Sequence, residues 1–384
     1  MFVTKRSLLH TLGDFSKAWR LLLEHVEKLA LSPTQEVSIA ALKAFHEMVV
    51  GAGEQEEESG MWSVAWRTWL NIGHQVTQTR DLDSCDDSSA PTQAFLTALY
   101  HIFPLLHPHI KTSLTPEDVT RLSQVTQACL SMPVQADSEL GFMLTINDGS
   151  LLPLHSSIIK CVSAVESHAL VSSTECLLPP LFSTYLQLCQ LVHTWPAGAH
   201  QCAVKGMFPE KYILLGEKAL ANIARLFEKT HSYPVVLKNN ILYNIVDSIR
   251  TPLVMKYKCI KQTSWKISVE VLISVLTSGI SDIRDKDSWT DLWSLVTKTL
   301  EEFLFPTSPA PHDVTPEQLA EDEAIDCSVI EFLKTQVLEQ PTLFPTTFIK
   351  DIMIILNKGS IHSHYAGQQD YNRNQDSFVP VNMR

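Results

Sequence analysis

The spacing of apolar residues constrains this chain more than any other feature. Phe15, Ala18, Trp19, Leu22, Leu23, Val26 and Leu29 recur at steps of three and four, which sets them along one face of a helix. After a short Leu31-Ser32 turn, Val37, Ala41, Ala44, Phe45 and Met48 repeat the pattern. Two amphipathic helices joined this tightly make one antiparallel hairpin, the unit from which HEAT-type arrays are built. No segment combines period-two alternation with β-branched residues and hairpin turns, so no strand is expected.

The helix starts share a grammar. In Ser32-Pro33-Thr34-Gln35, Ser32 can cap, Pro33 suits the first helical position, and Gln35 can reach back to complete a capping box. Thr115-Pro116-Glu117-Asp118 and Thr315-Pro316-Glu317-Gln318 stand in the same way before apolar-periodic runs. Further helices are expected over about 61–79, 91–110, 155–169, 173–194, 209–229, 234–250, 264–279, 287–304 and 341–357. That makes roughly a dozen helices, or about six hairpins at a period near 40 residues. The reading is an all-α, HEAT/armadillo-like helical-hairpin solenoid with a disordered C-terminal tail. Its parts are N-terminal hairpin repeats at 1–132, an irregular connector at 133–154, C-terminal helical repeats at 155–357 and the tail at 358–384, where apolar periodicity gives way to Gln, Asn, Ser and Gly.

Composition narrows the function classes. With 45% hydrophobic residues the chain can bury a core, and a net charge of -12 argues against general nucleic-acid binding. The eight cysteines form no C-x-x-C pair and mostly sit in apolar, helix-like runs, which reads as buried free thiols. No secretory leader is evident, and no window reaches the roughly 18 apolar residues that span a bilayer. A soluble or peripheral protein is expected.

Motifs for catalysis are missing: there is no G-x-G-x-x-G, Walker loop, H-E-x-x-H or G-x-S-x-G. No catalytic residue, cofactor or metal site is therefore assigned. His101, His107 and His109 form the densest histidine cluster, but Pro104 and Pro108 are expected to break the helix there and leave exposed histidines at its end. Trp62, Trp66 and Trp69 fall on one helical face beside an acidic loop. They either fill inter-helix grooves or form a candidate protein-docking surface. Lys256, Lys258, Lys261 and Lys266, interleaved with Tyr257 and Trp265, are a candidate membrane-contact patch, since basic clusters hold proteins on anionic leaflets. The other reading is a solvated turn between two repeat helices.

Three stretches resemble one family: FSKAWRLLLEHVEKLALSPTQEVSIAALKAFHEMV at 15–49, MKYKCIKQTSWKISVEVLISVL at 255–276 and DVTPEQLAEDEAIDCSVIEFLKTQVL at 313–338. Together they are similar to the C-terminal region of the Mon-two proteins, Golgi and endosome trafficking scaffolds related to the large BIG/GBF-type Arf exchange factors but without the exchange domain. The resemblance implies a scaffold peripheral on trans-Golgi and early endosome membranes. It also implies a role in endosome-to-Golgi retrieval and protein sorting, with a Dopey-type scaffold and a phospholipid flippase as partners. No binding motif carries over residue by residue. The family is far longer than this chain, so functions of its N-terminal parts, small-GTPase contact included, have no residue here.

The leading expectation is thus a non-catalytic trafficking scaffold. The alternatives are a karyopherin-like HEAT adaptor that binds basic peptides and, third, a hydrolase with an unrecognised site. An uncapped end of the array is also expected to favour self-association through residues 15–49.

Overall fold

The computed structural model describes residues 14–52, 59–78, 92–131, 150–171, 174–194, 208–259, 261–283, 289–306 and 315–371. Apolar residues at steps of three and four fold as helices throughout. In chain order these are α1 (Phe15–Ala30), α2 (Gln35–Ala52), α3 (Ser59–Gln78), α4 (Gln93–Ile110), α5 (Pro116–Ser131), α6 (Pro153–Val171) and α7 (Leu178–Thr194). They continue with α8 (Phe208–Thr230), α9 (Pro234–Lys238), α10 (Ile241–Met255), α11 (Thr263–Ile283), α12 (Trp289–Leu304), α13 (Pro316–Phe332) and α14 (Thr346–Tyr371). The chain divides into two compact units, Met1–Gly216 and Glu217–Arg384, and the division falls inside α8. Most of the connector expected at 133–154 lies outside the described residues.

In the first unit the helices alternate between two layers. One layer stacks α2 on α4 and α4 on α6, the other α1 on α3, α3 on α5 and α5 on α7, with α1–α2, α3–α4 and α6–α7 as the hairpins. Helices thus pack on the helix two places along and, in three hairpins, on a sequence neighbour, the arrangement of a HEAT-type array. The second unit repeats it, with α10 on α12 and α12 on α14 in one layer, α11 on α13 in the other, and α10–α11 as hairpin.

Large aromatics tie neighbouring helices together. Trp19 Nε1 on α1 donates to the Met61 carbonyl on α3 at 3.1 Å, and Trp69 Nε1 on α3 donates to the Leu99 carbonyl on α4 at 2.7 Å. Helices within a layer also approach closely: a Cβ added at Gly73 would meet Val125 Cγ1 at 2.6 Å, so this position of α3 takes no side chain against α5 without a shift.

The structure corrects several details. The stripe on α1 is narrower than its spacing suggests. Phe15, Trp19, Leu23, Val26 and Ala30 are buried, while Leu21, Leu22 and Leu29 are exposed. The second helix starts at Gln35, not at Pro33; Ser32 Oγ accepts from the Thr34 amide just before it, and the Thr34 carbonyl takes the first helical bond from Ser38. The other two starts form as read. Thr115 and Asp118 cap each other reciprocally, and Thr315 with Gln318 forms a full capping box.

Pro104 and Pro108 do not break α4. An internal proline removes one helical donor; the carbonyl deprived by Pro104 is that of Tyr100, and Cys161 Sγ of α6 donates to it at 3.4 Å. Packing between neighbouring helices of one layer thus replaces what the proline takes away. The run expected at 234–250 is split into α9 and α10 by Asn240, whose φ of 51° is left-handed, a conformation Asn tolerates better than most residues. The last helix continues past the expected end at 357 to Tyr371; Phe348, Ile352 and Ile355 anchor it on one face, and residues 358–371 contain no proline to stop it. Residues 372–384 of the expected tail lie outside the described residues.

Thr115→Ala and Thr315→Ala are each expected to cost about 1 kcal/mol, read as a lower urea midpoint at unchanged slope. Because Leu21, Leu22, Leu29, Val37 and Val50 are exposed on the first hairpin, Leu22→Glu with Leu29→Glu is expected to reduce any concentration-dependent association seen by sedimentation velocity.

Candidate interaction surface

The lysine-rich corner between α10 and α11 is built on an unusual backbone. At the end of α10 Lys256 adopts φ 33°, ψ -106°, and the chain then makes a short 3-10 turn over Lys256–Lys258. Such conformations cost of order 1–3 kcal/mol and persist where surrounding contacts hold them. Here the contacts are dense. The Lys256 side chain runs inward and the residue is 2% exposed. Its Nζ lies 4.4 Å from the Phe303 ring, 5.2 Å from Trp265 and 5.3 Å from Tyr257. Two bonds to Asp326 of α13, at 3.0 and 3.1 Å, complete the cage. Burial pushes the Asp326 carboxyl up from its usual range against the pull of Lys256, and pushes the Tyr257 phenol up to about 12.

The neighbouring lysines also meet carboxylates. Lys266 Nζ bonds Asp322 at 2.7 Å and Glu321 at 3.3 Å, and lies 5.6 Å from the Trp265 ring. Lys261 pairs with Glu217 at 3.5 Å, and Lys258 is exposed. The four-lysine membrane patch read from sequence is therefore corrected. Lys256 is withdrawn from the surface, and Lys266 and Lys261 face carboxylates from parts of the chain remote in sequence. Asp322, Asp326 and Phe303 escaped the sequence reading. The four-residue step between the two aspartates was visible, but not the partners they meet more than fifty residues away.

The tryptophans are corrected in the same direction. Trp62, Trp66 and Trp69 are all buried, so they form core, not a docking surface. Trp66 Nε1 donates to Asp118 at 3.2 Å, and Trp66 stacks on Trp69 at 5.3 Å. Trp62 lies flat on His109, with centroids 3.7 Å apart. The histidine cluster also comes apart. His101 is exposed, His107 is buried between Phe103 and His168, and His109 belongs to Trp62. Among the described residues no group of three or more His, Cys, Asp or Glu side chains is placed to hold a metal ion. Cys129, Cys161, Cys189 and Cys259 are buried free thiols as expected, whereas Cys176 and Cys327 are exposed. Burial pushes the Cys129 thiol up to about 12 and Cys259 up to about 11, which suppresses the reactive thiolate.

Two histidines are held neutral. His155 is fully buried against Tyr212, and neither ring nitrogen has a hydrogen-bond partner among the described residues. Burial pushes its pKa down to about 3. For His107, burial first and then His168 and Lys111 lower it to about 4. Both folded values lie below the unfolded value near 6.5, so the stability they carry is complete above about pH 6.5 and is lost as pH falls toward 4 and 3. His155→Phe is expected to flatten the acid limb of a pH–stability curve by about 1.4 kcal/mol per pH unit below 6.5. Urea titrations at stepped pH measure this, and an unchanged slope would contradict it.

Comparison with known proteins adds the following. A family model described as the C-terminal region of Mon2 protein matches residues 1–60 and 52–376. Protein MON2 homolog of Drosophila melanogaster is 35% identical over 410 residues, covering 94% of this chain and 24% of the relative. The Homo sapiens protein of the same name is 27% identical, covering 94% of this chain and 25% of its own length. Monensin-resistant homolog 2 of Caenorhabditis elegans is 22% identical, with 94% and 26% covered. The chain thus spans about a quarter of the length of these relatives. A circular tandem repeat protein of solved structure overlays 92% of this chain and 75% of its own at 12% identity and a TM-score of 0.44, too loosely to specify the repeat type.

Proposed function

This chain belongs to the Mon2 family through its C-terminal region, and on that premise we propose that it is a non-catalytic scaffold in membrane trafficking between endosomes and the trans-Golgi. The observation that carries the reading is a family match running almost the whole length of a chain made of stacked helix hairpins. Such arrays present long helical surfaces to protein partners, and their chemistry resides in contacts made along those surfaces. Among the described residues, the most unusual ionisable group, Lys256, is spent on an internal ion pair and an aromatic cage.

The proposed place of action is the cytosolic face of trans-Golgi and early endosome membranes, with a Dopey-type scaffold and a phospholipid flippase as partners in endosome-to-Golgi retrieval. No helix among the described residues is long and apolar enough to cross a membrane, so the proposal attaches the chain through partners or as a peripheral protein. Affinity capture of the tagged chain from cell lysate tests it. Dopey-type or flippase proteins are expected above an empty-tag control. Recovery of chaperones alone would remove these partners from this chain.

A further inference from the structure

We propose that α13 is a displaceable acidic strap over an interaction surface made by Lys256, Lys266 and the rings of Tyr257, Trp265 and Phe303, and that this surface accepts an acidic amphipathic helix from a partner protein. The inference deepens the scaffold reading and rests on it for the existence of a partner.

The first observation is how α13 is attached. Of its 17 residues only Asp322, Val329 and Phe332 are buried. The two apolar anchors lie in the last turn and run on into the buried Leu333 and Val337 of the π-type turn Leu333–Leu338. Over the preceding turns, Leu319 and Ile325 are only half-buried, and what faces α11 is charge. Lys266 bonds Asp322 and Glu321 there, and Lys256 bonds Asp326. One end of the helix is thus fastened by apolar burial, and the rest is held by ion pairs. Only Glu321 is well exposed; the Lys266–Asp322 and Lys256–Asp326 pairs are largely shielded from water, so desolvation offsets much of their attraction and they add little net stability. The apolar end runs into a π-type turn, a local distortion that is often found at functional sites.

The second observation is what lies beneath. Lysine ammonium groups over tryptophan, tyrosine and phenylalanine faces are a surface suited to carboxylates flanked by apolar side chains. Asp322 and Asp326 stand four residues apart and so share one face of α13. That face shows the chemistry of the ligand: a helix with carboxylates at i and i+4, and a further acid one residue before the first. The strap and a partner helix would compete for the same lysines, so binding of one disfavours the other. Two of the three stretches that carry the family resemblance, 255–276 and 313–338, form the two sides of this contact.

The probe is a fluorescent peptide with the sequence of residues 316–332, added to the full-length chain and followed by anisotropy. The tethered strap has a high local concentration, so the wild-type chain should bind the peptide weakly. Asp322→Asn loosens the strap while leaving Lys256 paired with Asp326, and about tenfold tighter peptide binding is expected, lost in high salt and in Lys266→Glu. Circular dichroism checks that the variants stay folded. Equal binding by wild type and Asp322→Asn, or binding of a scrambled peptide as well as the true one, would overturn the proposal. So would displacement of the peptide by phosphatidylserine vesicles but not by an unlabelled acidic helix, since the surface would then be a lipid site. Because the probe is the chain's own segment, failure here leaves the partner capture result standing.

Discussion

Most helices in the two arrays bury apolar surface against the helix two places along, several also against a hairpin partner, and the rest of the structure depends on that burial. A helix of 16 to 20 residues such as α1 to α4 is marginal on its own in water. What stabilises it is the removal of its apolar stripe from solvent, at about 25 cal/mol per Å². Stacking in two layers lets one short stripe serve two neighbours. That is why Trp19, Trp69, Trp265 and Trp293, the largest side chains, are among those most fully buried.

The same packing absorbs local defects. Pro104 would cost about 3 kcal/mol in an isolated helix, yet α4 continues through it because a thiol from α6 reaches the freed carbonyl. His155 survives in the core because burial holds it neutral there against Tyr212. In the second unit, Lys256 keeps a strained backbone because a carboxylate and three rings surround its ammonium group. In each case contacts distant in sequence compensate for a residue that local rules would reject.

Charge plays a different part from apolar burial here. Arg250 donates from Nε and one Nη to the Glu302 carboxylate, at 2.6 to 2.9 Å, and fixes α10 on α12 beside an apolar contact that already exists. Along most of α13, ion pairs stand in place of apolar contact. A charged seam of that kind is specific in register while desolvation offsets much of its attraction, and it leaves a scaffold one element that can exchange partners without unfolding the array.

The sequence alone determined the helices. Steps of three and four, capping boxes at Thr115 and Thr315, and the lack of period-two segments follow from the geometry of the chain and need no neighbour. It also carried enough pattern to resemble the family. Tertiary structure decided the side-chain roles. Leu22 and Leu29 obey the helical spacing of α1 yet face outward, because only the neighbouring helices determine how wide the buried stripe is. Trp62, Trp66 and Trp69 share a helical face whether that face is core or surface, and the packing of α3 against α4 and α5 made it core. Four lysines close in sequence read as a patch. For three of them the partners Asp326, Asp322 and Glu217 stand 44 to 70 residues away, at separations where no local rule couples two charges, and the fold turned those three toward carboxylates while Lys258 stays exposed.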